Sequence, residues 1–561
     1  MCRLAPTFIA GFLALCLLTI TASGRNPKIA ADLNNLPFQA TARLIVKYRA
    51  PVAEAEAYRA KRAPLHSLRI MARLDLLNAE AVSVLGSDLA LLADDPNVEY
   101  VWPDRQVHGS AYSGTPDYGW IAVGAQAATD QFGLDGRGIG VAVLDSGIEH
   151  QDDLITAGVD RVVYDANFVV PDGKITQDLW GHGTHVAGII GGNGQGTSGP
   201  GSQYTVRGIA PQVHLLNMRV LDGDGVGSDS AVISAIDRVI HLKDRYNIRV
   251  LNLSVGRPVF ESYNTDPLCQ AVQRAWESGI VVVVAAGNEG RNNDFGTQGY
   301  GLITTPGNSP FVITVGAVNT MGSATIDDDK MTSYSSKGPT AVDHILKPDL
   351  VAPGNQVISL LPRNSKLAMT HPENQVPAGV FNSGDIGSSG YGQLSGTSMA
   401  APIVSGAAAL LIQKNPALTP AQVKRVLMQT AAKRLPKTSF ATDPNTGFTY
   451  ESHDDPFTVG AGYVDIAAAL GVANIATVDA KSPVVRFVPA SGNAWLNCDS
   501  GSICATAAMW GTTALPTGVA AMWGTAAMWG TAAMWGTAAM WGTAGLDDVS
   551  KIDTKFLAGE R

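Results

Sequence analysis

Charge is what this chain has least of. Only 16% of its 561 residues are Asp, Glu, Lys or Arg, against about a quarter in ordinary soluble domains. Its 49 acidic and 40 basic side chains leave a net charge of −9. That balance argues against a polyanion, nucleic acid included, as the main ligand. Cysteine is scarce too: five residues cannot staple a chain of this length, which excludes a disulfide scaffold. Cys2 and Cys16 fall in the N-terminal leader, Cys498 and Cys504 could close a small loop, and Cys269 reads as a buried thiol on a helix. Apolar runs long enough to cross a membrane are also missing. The nearest candidate, Phe8 to Ile20 behind Arg3 and ahead of Thr21–Gly24, is too short and reads as a secretory signal over residues 1–24. Leu15 is the wrong neighbour for lipidation of Cys16. The mature chain is therefore expected to be secreted, extracellular or at the cell surface, with no transmembrane segment.

Glycine, by contrast, is abundant at 60 residues, and the length leaves room for more than one domain. The most informative stretch is Leu394-Ser395-Gly396-Thr397-Ser398-Met399-Ala400-Ala401-Pro402, which opens onto the small apolar run Ile403 to Ile412. Alone, Ser398 reads as readily as a helix cap as it does a nucleophile. Two upstream segments favour the nucleophile. Ile139 to Asp145 is an apolar run ending in Asp-Ser-Gly, as a buried parallel strand delivering a carboxylate would. Trp180-Gly181-His182-Gly183-Thr184-His185 places a glycine-bounded histidine at the start of an apolar helix. A neutral alcohol needs a base to become nucleophilic, and the base needs a carboxylate to hold its tautomer. Asp145, His182 and Ser398 supply those roles. His182 and His185 could share a metal by spacing, but no His-Glu-x-x-His pattern or third ligand accompanies them. A fourth segment, Ile280 to Ala286 followed by Gly287-Asn288-Glu289-Gly290, is a β-branched strand ending in an amide. An amide aimed at a tetrahedral oxyanion contributes roughly 2.7–4 kcal/mol. Asn288 is the candidate donor, beside the backbone N–H of Ser398.

These four segments, in the order Asp, His, Asn, Ser, resemble the subtilase family of serine proteases. The resemblance implies an α/β fold with a mostly parallel central sheet and helices on both faces, and peptide-bond hydrolysis through an acyl-enzyme with no cofactor for the chemistry. The residue pattern agrees independently. Strand-like runs at Gly140–Asp145, Val213–Val220, Val250–Val255, Val281–Ala286 and Phe311–Val315 alternate with helical stretches at Ser228–Lys243 and Asp266–Ser278.

Residues 25–110 read as a small α+β unit. Leu44–Tyr48 is strand-like, Arg69, Arg73, Leu76 and Leu77 have helical spacing, and Val98 to Trp102 alternates. By resemblance this is an inhibitory propeptide, the chain's own partner, removed by a cut between Arg105 and Pro116; a permanent accessory domain is the other reading. The catalytic unit then spans 111–475. By resemblance Ser254, Val255 and Gly256 line the primary pocket and bind substrate backbone, with Gly225 and Gly227 on the opposing edge. Thr304 stands where many relatives carry glycine, which predicts a shallow pocket and poor cleavage after Phe and Tyr. Structural calcium is expected by the same resemblance, with Asp153 as one ligand, although the adjoining loop Gly191–Gln203 is longer than the family pattern. The segment Asn364 to Gln393 reads as an insertion, either bordering the cleft or lying on the surface.

Residues 476–561 form a tail of different composition. Ala-Ala-Met-Trp-Gly-Thr occurs at Ala507–Thr512 and four times in tandem over Ala520–Thr543. An even period of six would keep each residue type on one strand face. The tail is either a sticky β-repeat for attachment or a low-complexity segment. A catalytically silent scaffold displaying these tryptophans is the alternative to a secreted serine endopeptidase, and a transpeptidase or esterase is the rival within enzymes. Intact Asp145, His182, Asn288 and Ser398 favour the endopeptidase.

Overall fold

The computed structural model describes residues 28–104, 106–108, 119–488, 493–497 and 519–522, with breaks at 56–66, 293–296, 382–387, 444–447 and 476–480 and a few shorter ones. The signal segment, residues 109–118, Cys498, Cys504 and most of the repeat tail lie outside them.

Strands β1 (Thr41–Tyr48), β2 (Arg69–Leu74), β3 (Ala79–Leu85) and β4 (Val98–Pro103) form an antiparallel sheet in the order β2-β3-β1-β4. The helix expected around Arg69–Leu77 is not there. Arg69–Leu74 is an edge strand, and only Asp75–Leu77 make a 3-10 turn. The apolar spacing misled because Leu74 and Leu77 do not face this sheet's own core: they pack into a cluster shared with the following domain. Pairing with β3 satisfies the backbone instead, so tertiary contact overrides periodicity. A short strand, β5 (Gln106–His108), follows.

The second sheet contains β6 (Gly140–Asp145), β7 (Val162–Asn167) and β8 (His214–Arg219). Past the separate strand β9 (Val226–Ser228), it continues with β10 (Ile248–Leu253), β11 (Val281–Ala285), β12 (Ile313–Asn319), β13 (Lys330–Met331) and β14 (Leu350–Pro353). Their order is β13-β12-β11-β10-β6-β8-β7, with β14 also on β12. All pairs are parallel except β12–β13. Every residue of β6 and β11 is buried, as the continuous apolar runs require. Alternate residues feed two cores. Val141, Val143, Val281 and Val283 join helices α1 (His182–Gly191) and α4 (Thr397–Lys414) on one face. Ala142, Leu144, Val282 and Val284 join α2 (Asp229–Leu242) and α3 (Pro267–Glu277) on the other. The helices start where their caps dictate: Ser228 accepts from Ala231 N, and Asp266 accepts from Leu268 N and Cys269 N ahead of Pro267.

The two sheets are joined at one place. β5 pairs antiparallel with β9, His108 opposite Val226 and Val107 opposite Gly227. Beside it the buried Asp104 accepts from Ser230 N at 2.7 Å and Ser230 Oγ at 2.6 Å, in the first turn of α2, and from Arg43 at 2.8 Å. A carboxylate there meets the positive end of the helix dipole. In the tail region Val484–Val488, Asn493–Asn497 and Val519–Met522 form a three-stranded antiparallel sheet.

Candidate active site

The carboxyl ends of β6, β10 and β11 deliver the chemical groups, as crevices at strand ends do in open parallel sheets. Asp145 is the last residue of β6, and His182 is the first of α1. Gly183 lets the helix close on the strand: a Cβ there would stand 2.2 Å from Gly147 O and 3.0 Å from Asp145 Cβ. His182 Nδ1 then donates to Asp145 Oδ1 at 2.7 Å, with both groups buried. Burial pulls the imidazole pKa down, but the Asp145 charge and hydrogen bond overcome it and hold it above 6.5. Nε2 has no hydrogen-bond partner among the described residues.

A carboxylate that the sequence reading passed over ties these two elements together. Asp178 is buried and accepts from Ser146 Oγ (2.8 Å), Gly181 N (2.7 Å), Thr184 N (2.8 Å) and Thr184 Oγ1 (2.7 Å). Burial pushes its carboxyl up, while those donors pull it back. Its signal was an acid four residues before His182, capping a helix whose own N-cap is glycine. His185 goes elsewhere: its Nε2 bonds to Val357 O and Gly392 O, and burial pulls its pKa down to about 3. It is a neutral core residue and does not converge with His182 on a metal.

Ser398 is the second residue of α4. Pro402, four residues on, lacks the N–H that would bond the Ser398 carbonyl. Ser254 Oγ donates to that carbonyl instead, at 2.9 Å. In return Ser398 Oγ donates to Ser254 O at 3.1 Å. The serine hydroxyl is therefore not bonded to His182 in this arrangement. Asn288 lies just beyond β11. Its Oδ1 accepts from Thr397 N (2.9 Å) and Thr397 Oγ1 (3.0 Å), which fixes the amide oxygen toward the start of α4 and turns the nitrogen away.

The expected substrate edges flank these groups. Ser254, Val255 and Gly256 follow β10, Gly227 lies in β9, and Gly225, at φ 74°, packs against the Trp180 ring. Thr304 fills the gap between Gly256 and Gly287: a Cβ on either glycine would meet its side chain at 2.5 and 2.6 Å. Behind Gly256, the buried Arg257 bonds Asp229 and Asp266 at 2.7–3.1 Å. Cys269 is buried as expected, donating to Asn308 Oδ1. The Asn364–Gln393 segment contributes Asn364, Ser365 and Ser389–Tyr391 to a cavity of about 600 Å³ whose other walls include Glu149, Asp178 and Leu179.

Asp153 does not sit in a calcium-like donor set. Its Oδ1 accepts from Gly196 N at 2.6 Å and its Oδ2 from Tyr391 Oη at 2.7 Å. Calcium needs six to eight oxygens facing inward, and no group of three or more His, Cys, Asp or Glu is placed to hold a metal among the described residues. Burial raises the Asp153 pKa, which further disfavours a bare carboxylate.

With this geometry in place, the relatives are informative. Residues 136–456 match the Subtilase family, Peptidase S8. The chain belongs to the subtilase family. It is 35% identical over 365 residues to the serine protease AprX of Bacillus subtilis, covering 64% of this chain and 75% of that protein. It is 33% identical over 365 residues to subtilisin E of the same species, covering 65% and 78%. Its fold is similar to that of fervidolysin from Fervidobacterium pennivorans, with a TM-score of 0.55 at 22% identity over 78% of this chain and 62% of that one. This subtilase is a serine endopeptidase. No helix among its described residues is long and apolar enough to cross a membrane.

Proposed function

We propose that this subtilase is made as an exported zymogen and cleaves peptide bonds with Asp145, His182 and Ser398, assisted by Asn288. The observation carrying this reading is the buried 2.7 Å Asp145–His182 pair with an unpartnered Nε2. Rotation about the Ser398 side-chain bond brings its hydroxyl from Ser254 O to that nitrogen. His182 takes the proton as Oγ attacks, and Asp145 stabilises the imidazolium. The oxyanion forms against Ser398 N–H and the Asn288 nitrogen. His182 then protonates the leaving amine, and water releases the acyl group by the reverse path. A serine-directed phosphonate should label Ser398, and casein should be digested. An unlabelled chain that leaves casein intact would sink the assignment.

The N-terminal unit, residues 25–110, is the propeptide in this reading. Its strand β5 pairs with β9, the edge that an extended substrate would use, and Asp104 holds α2 beside it. Export accords with the signal-like segment 1–24 and with one relative, from a Thermus strain, named an extracellular serine proteinase. N-terminal sequencing of the mature form should give a first residue between Arg105 and Pro116. A start near Asn26 would make the unit a permanent domain. The Thr304 side chain wedged between Gly256 and Gly287 supports a shallow primary pocket fitted to small apolar residues. Ser254–Gly256 and Gly225–Gly227 then bind the peptide backbone on its two sides. A cleavage profile dominated by Phe and Tyr would refute that.

A further inference from the structure

We propose that Arg161 is the resident cation at the place where calcium was expected, and that it anchors the C-terminal end of the helix carrying His182. The guanidinium is buried, 4% exposed. Nη1 donates to Gly191 O at 2.7 Å and more weakly to Val213 O at 3.4 Å, Nη2 to Asp153 O at 2.5 Å, and Nε to Thr156 Oγ1 at 3.0 Å. These oxygens come from four separate segments, and three of them are backbone carbonyls of the kind a divalent ion would gather. A planar fork with five N–H groups can satisfy several carbonyls at once, as no other side chain can.

Gly191 ends α1, so its carbonyl is one of those with no partner inside the helix. A positive charge there also meets the negative end of the helix dipole. Burial lowers the Arg161 pKa to about 10, partly offset by the nearby Asp153 charge, so the group is charged at neutral pH. The surrounding bonds complete the cage with donors rather than acceptors. Asn193 N adds a second bond to Asp153 O at 2.9 Å, and Gly196 N and Tyr391 Oη take both carboxylate oxygens. Tyr391 belongs to the strand that closes the Asn364–Gln393 segment, so the insertion is stitched to the same cluster. A cation on a covalent tether cannot be chelated away. The end of α1 opposite His182 is therefore held without a metal at this position.

The test compares thermal unfolding midpoints of the full chain, kept intact by Ser398→Ala, in excess EDTA and in millimolar calcium chloride. The reference chain is expected to differ by less than about 2 °C between the buffers. Arg161→Ala should fall by several degrees in both, and Arg161→Lys, which keeps the charge and loses the fork, should lie between. A calcium-dependent rise that survives Asp153→Asn belongs to another site and leaves the proposal standing. A rise of several degrees in the reference chain that disappears in Asp153→Asn would overturn it, even if the Arg161 variants do not fold. Unfolding midpoints do not depend on the protease reading, so failure of one leaves the other open. In the active chain, caseinolysis should persist in EDTA after Arg161→Lys in proportion to the folded fraction.

Discussion

The two sheets of this subtilase are built on opposite plans. The central sheet is parallel, buried on both faces and closed under helices, so its strands are unbroken apolar runs. The N-terminal sheet is antiparallel; its edge strand β2 buries only Leu74, and it meets the central unit through one short strand and the Arg43–Asp104–Ser230 contact. The first plan fixes atoms to tenths of an ångström, as the Asp145–His182 pair requires. The second holds a unit that can be let go once a cut is made between the two. Damage to the central sheet's end should therefore abolish chemistry, and damage to the N-terminal unit should change only when chemistry begins.

The sharpest way to break that contrast is Ser398→Ala. Turnover should fall by about six orders of magnitude, because the residues of a triad act as one unit. The secreted product should also retain residues 25–110, as seen by mass spectrometry. Processing at the normal rate would show that another protease makes the cut. Asn288→Ala should cost about a hundred- to a thousandfold in kcat with little change in KM, measured on a chromogenic peptide. In the N-terminal unit, Asp104→Ala should leave the kcat of the matured enzyme unchanged. It should raise the inhibition constant of the free 25–110 fragment about tenfold to a hundredfold, the worth of a charge-assisted hydrogen bond. An unchanged constant would mean that β5 alone carries the contact. Thr304→Gly should improve kcat/KM for Phe over Ala at the cleaved position by about tenfold. The smallest effect is on pH. Attack needs neutral His182, and its pKa is held above 6.5 by Asp145. Activity should therefore fall as pH drops through a midpoint above 6.5, and a midpoint below 6.5 would contradict the pairing.

Much of the central domain was legible because its elements are locally consistent. β6 and β11 coincide with uninterrupted apolar runs, and α3 starts where Asp266-Pro267 says it should. The site residues could be named because each sits beside glycine in a compact motif. Other features were not legible. Arg69–Leu77 has helical spacing, yet two of its leucines answer to α2 and α3, far along the chain. Asp178 looked like any turn acid until its four donors were assembled. Asp153 carried the calcium expectation because a carboxylate in a loop shows its charge in the sequence but not its neighbours.

Taken alone, the amino-acid order determined the fold class, the four chemical groups and the separate N-terminal unit, because strand runs, caps and glycine-bounded motifs act over a few residues. Only the tertiary structure decided how those groups are held. Pro402 frees a carbonyl for Ser254, Thr397 orients Asn288, and Arg161 reaches Asp153, Gly191 and Val213. Each of these depends on hydrogen-bond geometry between segments distant in the chain, and such geometry leaves no local pattern to read.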